Sequence, residues 1–351
     1  MPRANVVGLG LIGGSIGRAL RTRGWHVQGT DVEPARVDDA VRLDVIDAAG
    51  LDPTAEITFV AVPALAVPEA VKQALDGTSG LVTDTAGVKA SVVASTTDRR
   101  FLGGHPMAGS EQEGLDGADG ELFEGAVWVL TPTSETTDEV FATVASVVST
   151  LGAEVVALTP ERHDSLVAVV SHVPHLAAAT LMTLADERAE EHAALLRLAA
   201  GGFRDMTRIA AGHPAIWPDI CEENRAAIVE GLDGLIAGLQ SVRAVVDRTD
   251  RDALLALLTR ARAARTNLPS RVARPADLAE VRIPIPDRPG AAAEVFTLAS
   301  ELGVNVADFE VFHSAEGAKG ILILLIEATA GDLFRGGLIA RGFRPSVRRL
   351  E

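Results

Sequence analysis

Residues 5–13 read Asn5-Val6-Val7-Gly8-Leu9-Gly10-Leu11-Ile12-Gly13, and the next β-branched run ends on Asp31. A strand, a G-x-G-x-x-G turn, an apolar helix and an acid about twenty residues on form the sequence context of a dinucleotide site. Gly8 is expected to make the tight turn. Gly10 lets the backbone approach a pyrophosphate, and Gly13 lets helix and strand pack closely. Leu11 and Ile12 open the helix, whose unpaired N–H groups attract phosphate. Asp31 accepts from the adenosine ribose hydroxyls and repels a 2′-phosphate, so the expected cofactor is NAD rather than NADP. Arg36 is the one nearby residue that argues the other way. Val62 and Pro63 end a later strand, where Pro63 either borders the nicotinamide half or simply terminates the strand.

Working outward, residues 1–160 alternate short β-branched runs (5–8, 26–31, 57–62, 81–84, 101–104, 127–131 and 154–158) with helical stretches. That is the pattern of an α/β Rossmann-type domain, a mostly parallel sheet covered by helices. Residues 161–266 lose the strand signals, and apolar residues recur at three- and four-residue spacing, which predicts an all-α domain. Residues 267–278, with Pro269 and Pro275, read as a linker. Residues 279–351 return to a βαββαβ order, the ferredoxin-like split pattern.

Composition narrows the function classes. The chain has 351 residues, 47% hydrophobic and 23% charged, with a formal net charge of −16. The acidic balance disfavours nucleic-acid binding. No apolar run of the roughly 18 residues that span a membrane is expected, nor a secretory signal, so the reading is a soluble cytoplasmic protein. The single cysteine, Cys221, excludes an intramolecular disulfide framework and a cysteine-cluster metal site, and is expected to be a small buried thiol. No metal is called for.

Three further segments carry chemistry. Gly103-Gly104-His105-Pro106-Met107-Ala108-Gly109-Ser110-Glu111 puts a histidine at a strand end between glycines and a proline. Ser171-His172-Val173-Pro174-His175 sets two histidines about a proline that breaks a helical ladder and can re-aim side chains. Gly201-Gly202-Phe203-Arg204-Asp205-Met206-Thr207-Arg208-Ile209-Ala210 spaces two arginines four apart, on one face of a short helix.

Together with Gly8–Gly13, these segments resemble the prephenate/arogenate dehydrogenase family, over residues 5 to 265. The resemblance implies oxidation and decarboxylation of prephenate to 4-hydroxyphenylpyruvate with NAD⁺ as hydride acceptor. By match, His105 is the catalytic histidine that assists deprotonation of the C4 hydroxyl, and Arg208 pairs with a substrate carboxylate. His175 is a second polar contact, Ser110 and Glu111 shape the pocket entrance, and Trp217 lies near the site. His172 reads as a helix-packing residue and Arg204 as a solvated or salt-bridged one. His26, His163, His192, His213 and His313 stand outside any motif. One departure is Gly87, in Thr83-Asp84-Thr85-Ala86-Gly87-Val88-Lys89, where the family commonly has a serine bonded to the substrate or the histidine; water, Thr85 or Ser110 are the available substitutes.

The C-terminal unit, with Asp287-Arg288-Pro289-Gly290 after its first strand, resembles an ACT domain. This implies an amino-acid effector such as L-tyrosine at Asp287, Pro289 and Gly290, completed by Asn305 of a neighbouring unit. The helical block, apolar on more than one face, implies a homodimer. Arogenate as the substrate, and a non-catalytic NAD or amino-acid sensor, are the alternative readings.

Overall fold

The computed structural model describes residues 1–109, 112, 114–191, 196–212, 214–267, 278–286, 288–313 and 319–349. Ser110, Glu111, His192, His213 and Asp287, all named above, lie outside the described residues, as does most of the 267–278 linker. Contacts divide the chain into two compact units, Met1–Asp250 and Arg251–Glu351.

In the first unit, strands β1 (Arg3–Val7), β2 (His26–Thr30), β3 (Ala48–Ala49), β4 (Ile57–Val60), β5 (Leu81–Asp84), β6 (Phe101–Pro106), β7 (Val127–Thr131) and β8 (Glu154–Ala157) form one sheet in the order β3-β2-β1-β4-β5-β6-β7-β8. All pairs are parallel except β6 with β7. Helices α1 (Leu11–Thr22), α2 (Pro34–Arg42), α3 (Val67–Gly77), α4 (Ala90–Ala94) and α5 (Asp138–Thr150) connect the strands. The strand order reverses between β1 and β4, so a crevice opens there at the carboxyl ends of the strands. β6 runs parallel to β5, which puts His105, near its end, on the same edge. Gly104 permits this tight lamination. A Cβ on it would lie 2.8 Å from the Asp84 carbonyl oxygen and 2.9 Å from Trp128 Nε1. Trp128 is fully buried beneath, its ring 5.1 Å from Phe123 and edge-on to Phe59.

The helical part of this unit holds α6 (Pro160–Val167), α7 (Val173–Glu191), α8 (Gly201–Thr207), α9 (Trp217–Glu223) and α10 (Arg225–Asp247). Thr159 caps α6, its hydroxyl accepting the Arg162 N–H, and Pro160 sits in the first turn where its missing N–H costs nothing. α6 and α7 are one rod joined by a π-helical turn, Ala168–His172. Pro174 has no N–H for the carbonyl four residues back, and the widened turn just before it takes up the mismatch. This rod corrects an expectation. Residues 165–184 contain no Asp, Glu, Lys or Arg, and the helix Pro160–Arg188 is long and apolar enough, by length and composition, to cross a membrane. Its first turns are buried against the sheet domain, with His163 and Asp164 inward. Cys221 is half-buried rather than buried, and burial raises its thiol pKa.

The second unit contains α11 (Arg251–Thr266), β9 (Leu278–Pro286), α12 (Ala291–Glu301), β10 (Val306–His313), β11 (Lys319–Glu327), α13 (Gly331–Ala340) and β12 (Ser346–Arg349). The four strands form an antiparallel sheet in the order β10-β11-β9-β12. Strict alternation along β9 buries Val281, Ile283 and Ile285 against Val295, Leu298, Phe334 and Leu338 of the two crossing helices.

Candidate active site

The nucleotide end is built from the first turn of the sheet. Gly8 has φ +91°, and a Cβ on it would lie 2.4 Å from the Ala61 carbonyl oxygen. A Cβ on Gly13 would lie 1.8 Å from the Gly8 carbonyl oxygen, so only glycine lets α1 start this close to β1. Gly10 faces open space. Leu11 and Ile12 form the first turn of α1, which starts without a side-chain cap and so leaves its first N–H groups without helical partners. The Asp31 carboxylate accepts the Leu9 N–H at 2.8 Å and the Glu33 N–H at 3.0 Å, which fixes it beside the glycine turn. Arg36 Nη1 stands 3.3 Å from both Asp31 oxygens, so its charge is engaged by the acid. Val62 and Pro63 follow β4 across the crevice, and Val62 touches the space above Gly8. A glycine cradle, a helix start and a fixed acid suit a dinucleotide diphosphate and ribose.

At the other end of the edge stands His105. Its Nδ1 is 2.8 Å from His163 Nε2, and His163 Nδ1 is 2.8 Å from Asp164 Oδ1. Asp164 in turn accepts the backbone N–H groups of Lys89 and Ala90, each at 2.8 Å, at the start of α4. Lys89 is fully buried and paired with Asp84, whose carboxylate also accepts the N–H groups of Ala86 and Gly104. Burial pushes the Lys89 pKa down, and Asp84 acts against that. His105 is held well below the usual histidine range, first by burial and then by the neighbouring His163, Lys89 and His172. It is therefore neutral at pH 7 and able to accept a proton. Gly87 lies beside it: a Cβ there would be 3.7 Å from His105 Nε2.

From Asp164 the wall continues through the helices. Asn224 Nδ2 donates to the Asp164 carbonyl at 2.9 Å and lies 3.3 Å from His172 Nδ1. His172 is buried, and burial holds its pKa at about 4. The rings of His175 and Trp217 stack at 3.6 Å, with His172 edge-on to the same indole. Burial also lowers the pKa of His175. Arg208 does not share a helix with Arg204. α8 ends at Thr207, and Arg208 begins a separate 3₁₀ turn, Arg208–Ala211, that packs on α7. Arg204 is spent locally, its Nε donating to the Ala199 carbonyl.

The structure thus joins His105, His172, His175 and Trp217 into one contiguous wall. His163, Asp164 and Asn224 belong to it although no motif marked them. The available signal was an adjacent His-Asp pair at a capped helix start. In the second unit, a cavity of about 330 Å³ is lined by Gly290, Arg288, Ile285, Ala292 and Val311 among others. Asn305 is exposed and outside that lining as described.

A dinucleotide cradle and a neutral histidine on one sheet edge define an NAD-dependent oxidoreductase. Residues 16–157 match the model for the nucleotide-binding domain of prephenate dehydrogenase, and residues 159–260 that for its dimerization domain. The chain is 32% identical to the prephenate dehydrogenase of Bacillus subtilis over 336 residues, 90% of each chain. Among solved structures, it resembles the prephenate dehydrogenase of Aquifex aeolicus in complex with hydroxyphenyl propionate and NAD⁺, at 29% identity and a TM-score of 0.72, covering 77% of this chain and 99% of that one. It resembles the arogenate dehydrogenase of Synechocystis at 31% identity and a TM-score of 0.67, covering 76% and 100%. The chain belongs to the prephenate dehydrogenase family.

Proposed function

We propose that the chain oxidises and decarboxylates prephenate to 4-hydroxyphenylpyruvate with NAD⁺, His105 being the proton acceptor. The observation that carries this is His105 at the carboxyl edge of the sheet, its Nδ1 on His163 and its Nε2 beside Gly87. Bound along the Gly8–Gly13 cradle, NAD⁺ supplies the hydride acceptor. His105 takes the C4 hydroxyl proton as the C4 hydrogen departs. Loss of the ring carboxylate as CO₂ aromatises the ring, and the proton returns to the phenolic oxygen, because substrate and products balance without a net proton. Arg208 pairs with a substrate carboxylate, a task suited to a planar guanidinium. His175, held flat on Trp217, lines the substrate; Ser110 and Glu111, outside the described residues, are assigned to the pocket by the resemblance alone.

The test compares kcat/KM for prephenate and arogenate, each with NAD⁺ and NADP⁺. Prephenate with NAD⁺ is the expected best pair. Arogenate preferred tenfold or more would move the reading to arogenate dehydrogenase, which differs only in an amino group where prephenate has a keto group.

The second unit is, in this reading, an ACT domain and the regulatory part of the chain. Its strand order, with two helices on one face, supports this, and so does the cavity at Gly290. An amino acid such as L-tyrosine would bind there, at Pro289 and Gly290, with Asn305 supplied by a neighbouring unit; Asp287, outside the described residues, is assigned by the resemblance alone. Calorimetric titration of Tyr, Phe and Trp into the full chain decides it; no heat from any of them overturns the effector. A homodimer through the helical part is supported by the exposed Val169, Val170, Leu184, Ile236 and Leu239 on its helices. Light scattering that gives a monomer at micromolar concentration would refute it. The cytoplasm is the compartment that suits this chemistry.

A further inference from the structure

We infer that Asp164 and His163 are positioning residues that fix His105 in its Nδ1–H tautomer and so aim the Nε2 lone pair at the substrate hydroxyl. The inference rests on the reading of His105 as proton acceptor and adds two residues that no motif marked. The argument follows the hydrogen bonds inward. The Asp164 carboxylate already accepts two backbone N–H groups from Lys89 and Ala90, so it is fixed in place and acts as an acceptor. Its partner at 2.8 Å, His163 Nδ1, must therefore carry the proton and donate. In the neutral form of His163, which has one N–H, Nε2 is left with a lone pair. The contact at 2.8 Å between that nitrogen and His105 Nδ1 is then a hydrogen bond donated by His105. The lone pair of His105 falls on Nε2, the nitrogen beside Gly87.

The arrangement is closed to rearrangement. His163 is fully buried, and the Asp164 main chain is pinned by Asn224. The two rings meet edge to face with centroids 5.0 Å apart, which holds His105 against rotation. When Nε2 accepts the substrate proton, the charge on His105 faces an acceptor nitrogen that is polarised by the carboxylate behind it. The O–H bond of the substrate breaks, an N–H bond forms at Nε2, and the Nδ1 proton stays shared with His163. Histidine without such support favours the opposite tautomer, with Nε2 protonated and no base directed at the substrate.

The test is ¹⁵N NMR of the histidine rings in the full ligand-free chain, with His105→Gln used for assignment. This readout is independent of which substrate the enzyme prefers, so its failure is distinct from a failure of the proposed reaction. The expected spectrum shows His105 with Nδ1 protonated and Nε2 unprotonated. His163→Leu should reverse that and lower kcat about 100-fold, with KM unchanged within about threefold. His163→Gln keeps an oxygen acceptor and should retain the tautomer and most of the rate. A wild-type spectrum with Nε2 protonated overturns the inference, as does a His163→Leu enzyme with unchanged kcat. Should the leucine variant fail to fold, the wild-type spectrum and the glutamine variant still decide.

Discussion

Gly87→Ser puts a hydroxyl where the family motif commonly carries one. A Cβ at residue 87 would lie 3.7 Å from His105 Nε2 and 3.8 Å from its Cε1, which is ordinary van der Waals contact, and Gly87 is not among the residues with positive φ. Serine therefore enters without strain. Its Oγ, one bond further out, reaches hydrogen-bonding distance of Nε2 or of the substrate hydroxyl in a staggered rotamer. A net hydrogen bond is worth about 1 kcal/mol, which corresponds to roughly fivefold in kcat/KM. Steady-state NADH formation from prephenate measures it. Gly87→Ala is the control, because it fills the same space without a hydroxyl and should stay within about twofold of wild type. A folded Gly87→Ser enzyme with lower kcat/KM, or an equal gain in Gly87→Ala, would refute the reasoning that a missing polar contact at this position limits the site.

Other consequences are equally direct. Gly13→Ala cannot be housed at 1.8 Å from a carbonyl oxygen, so it should lose NAD⁺ binding and melt lower, whereas Gly10→Ala, facing open space, should fold as wild type and lose only cofactor affinity; fluorescence titration and thermal melts separate the two. Asp31→Ser frees Arg36 from its pairing with the acid and should narrow the preference for NAD⁺ over NADP⁺ by about tenfold or more, read from the two cofactor KM values. His172 has a folded pKa of about 4, below the ordinary 6.5, so the unfolded chain binds more protons between those values. Its contribution to stability is full above about pH 6.5 and is lost as the pH falls towards 4, by about 3 kcal/mol in total. Urea midpoints at pH 7.5 and 5 should fall in wild type and fall less in His172→Gln.

The parts legible in the sequence were those written locally. Gly8 to Gly13 and Asp31 share one βαβ unit, and the turn geometry forces glycine at fixed offsets. The C-terminal strands showed because burial on one face imposes a period of two. β3 was missed because two alanines carry no strand signal, and pairing with β2 alone defines it. The apolar window of the α6–α7 rod does not read as one run because Ser171, His172, Pro174, His175, Thr180 and Thr183 interrupt it, although none of them carries a fixed charge. His163 looked featureless because its partner His105 is 58 residues away, and only the fold brings the strand end to the helix start. The break between α8 and the Arg208 turn was equally hidden, since four-residue spacing suggests one helix face whether or not the helix continues.

The most direct measurement follows NADH and CO₂ together after mixing NAD⁺ and prephenate with wild type and with His105→Asn. The expected result is equal amounts of NADH and CO₂ from wild type, and a loss of about 100-fold or more in kcat for the variant with NAD⁺ affinity retained. A variant as fast as wild type, or a wild type that forms no NADH from prephenate, would contradict the assignment of His105 as the base of this reaction.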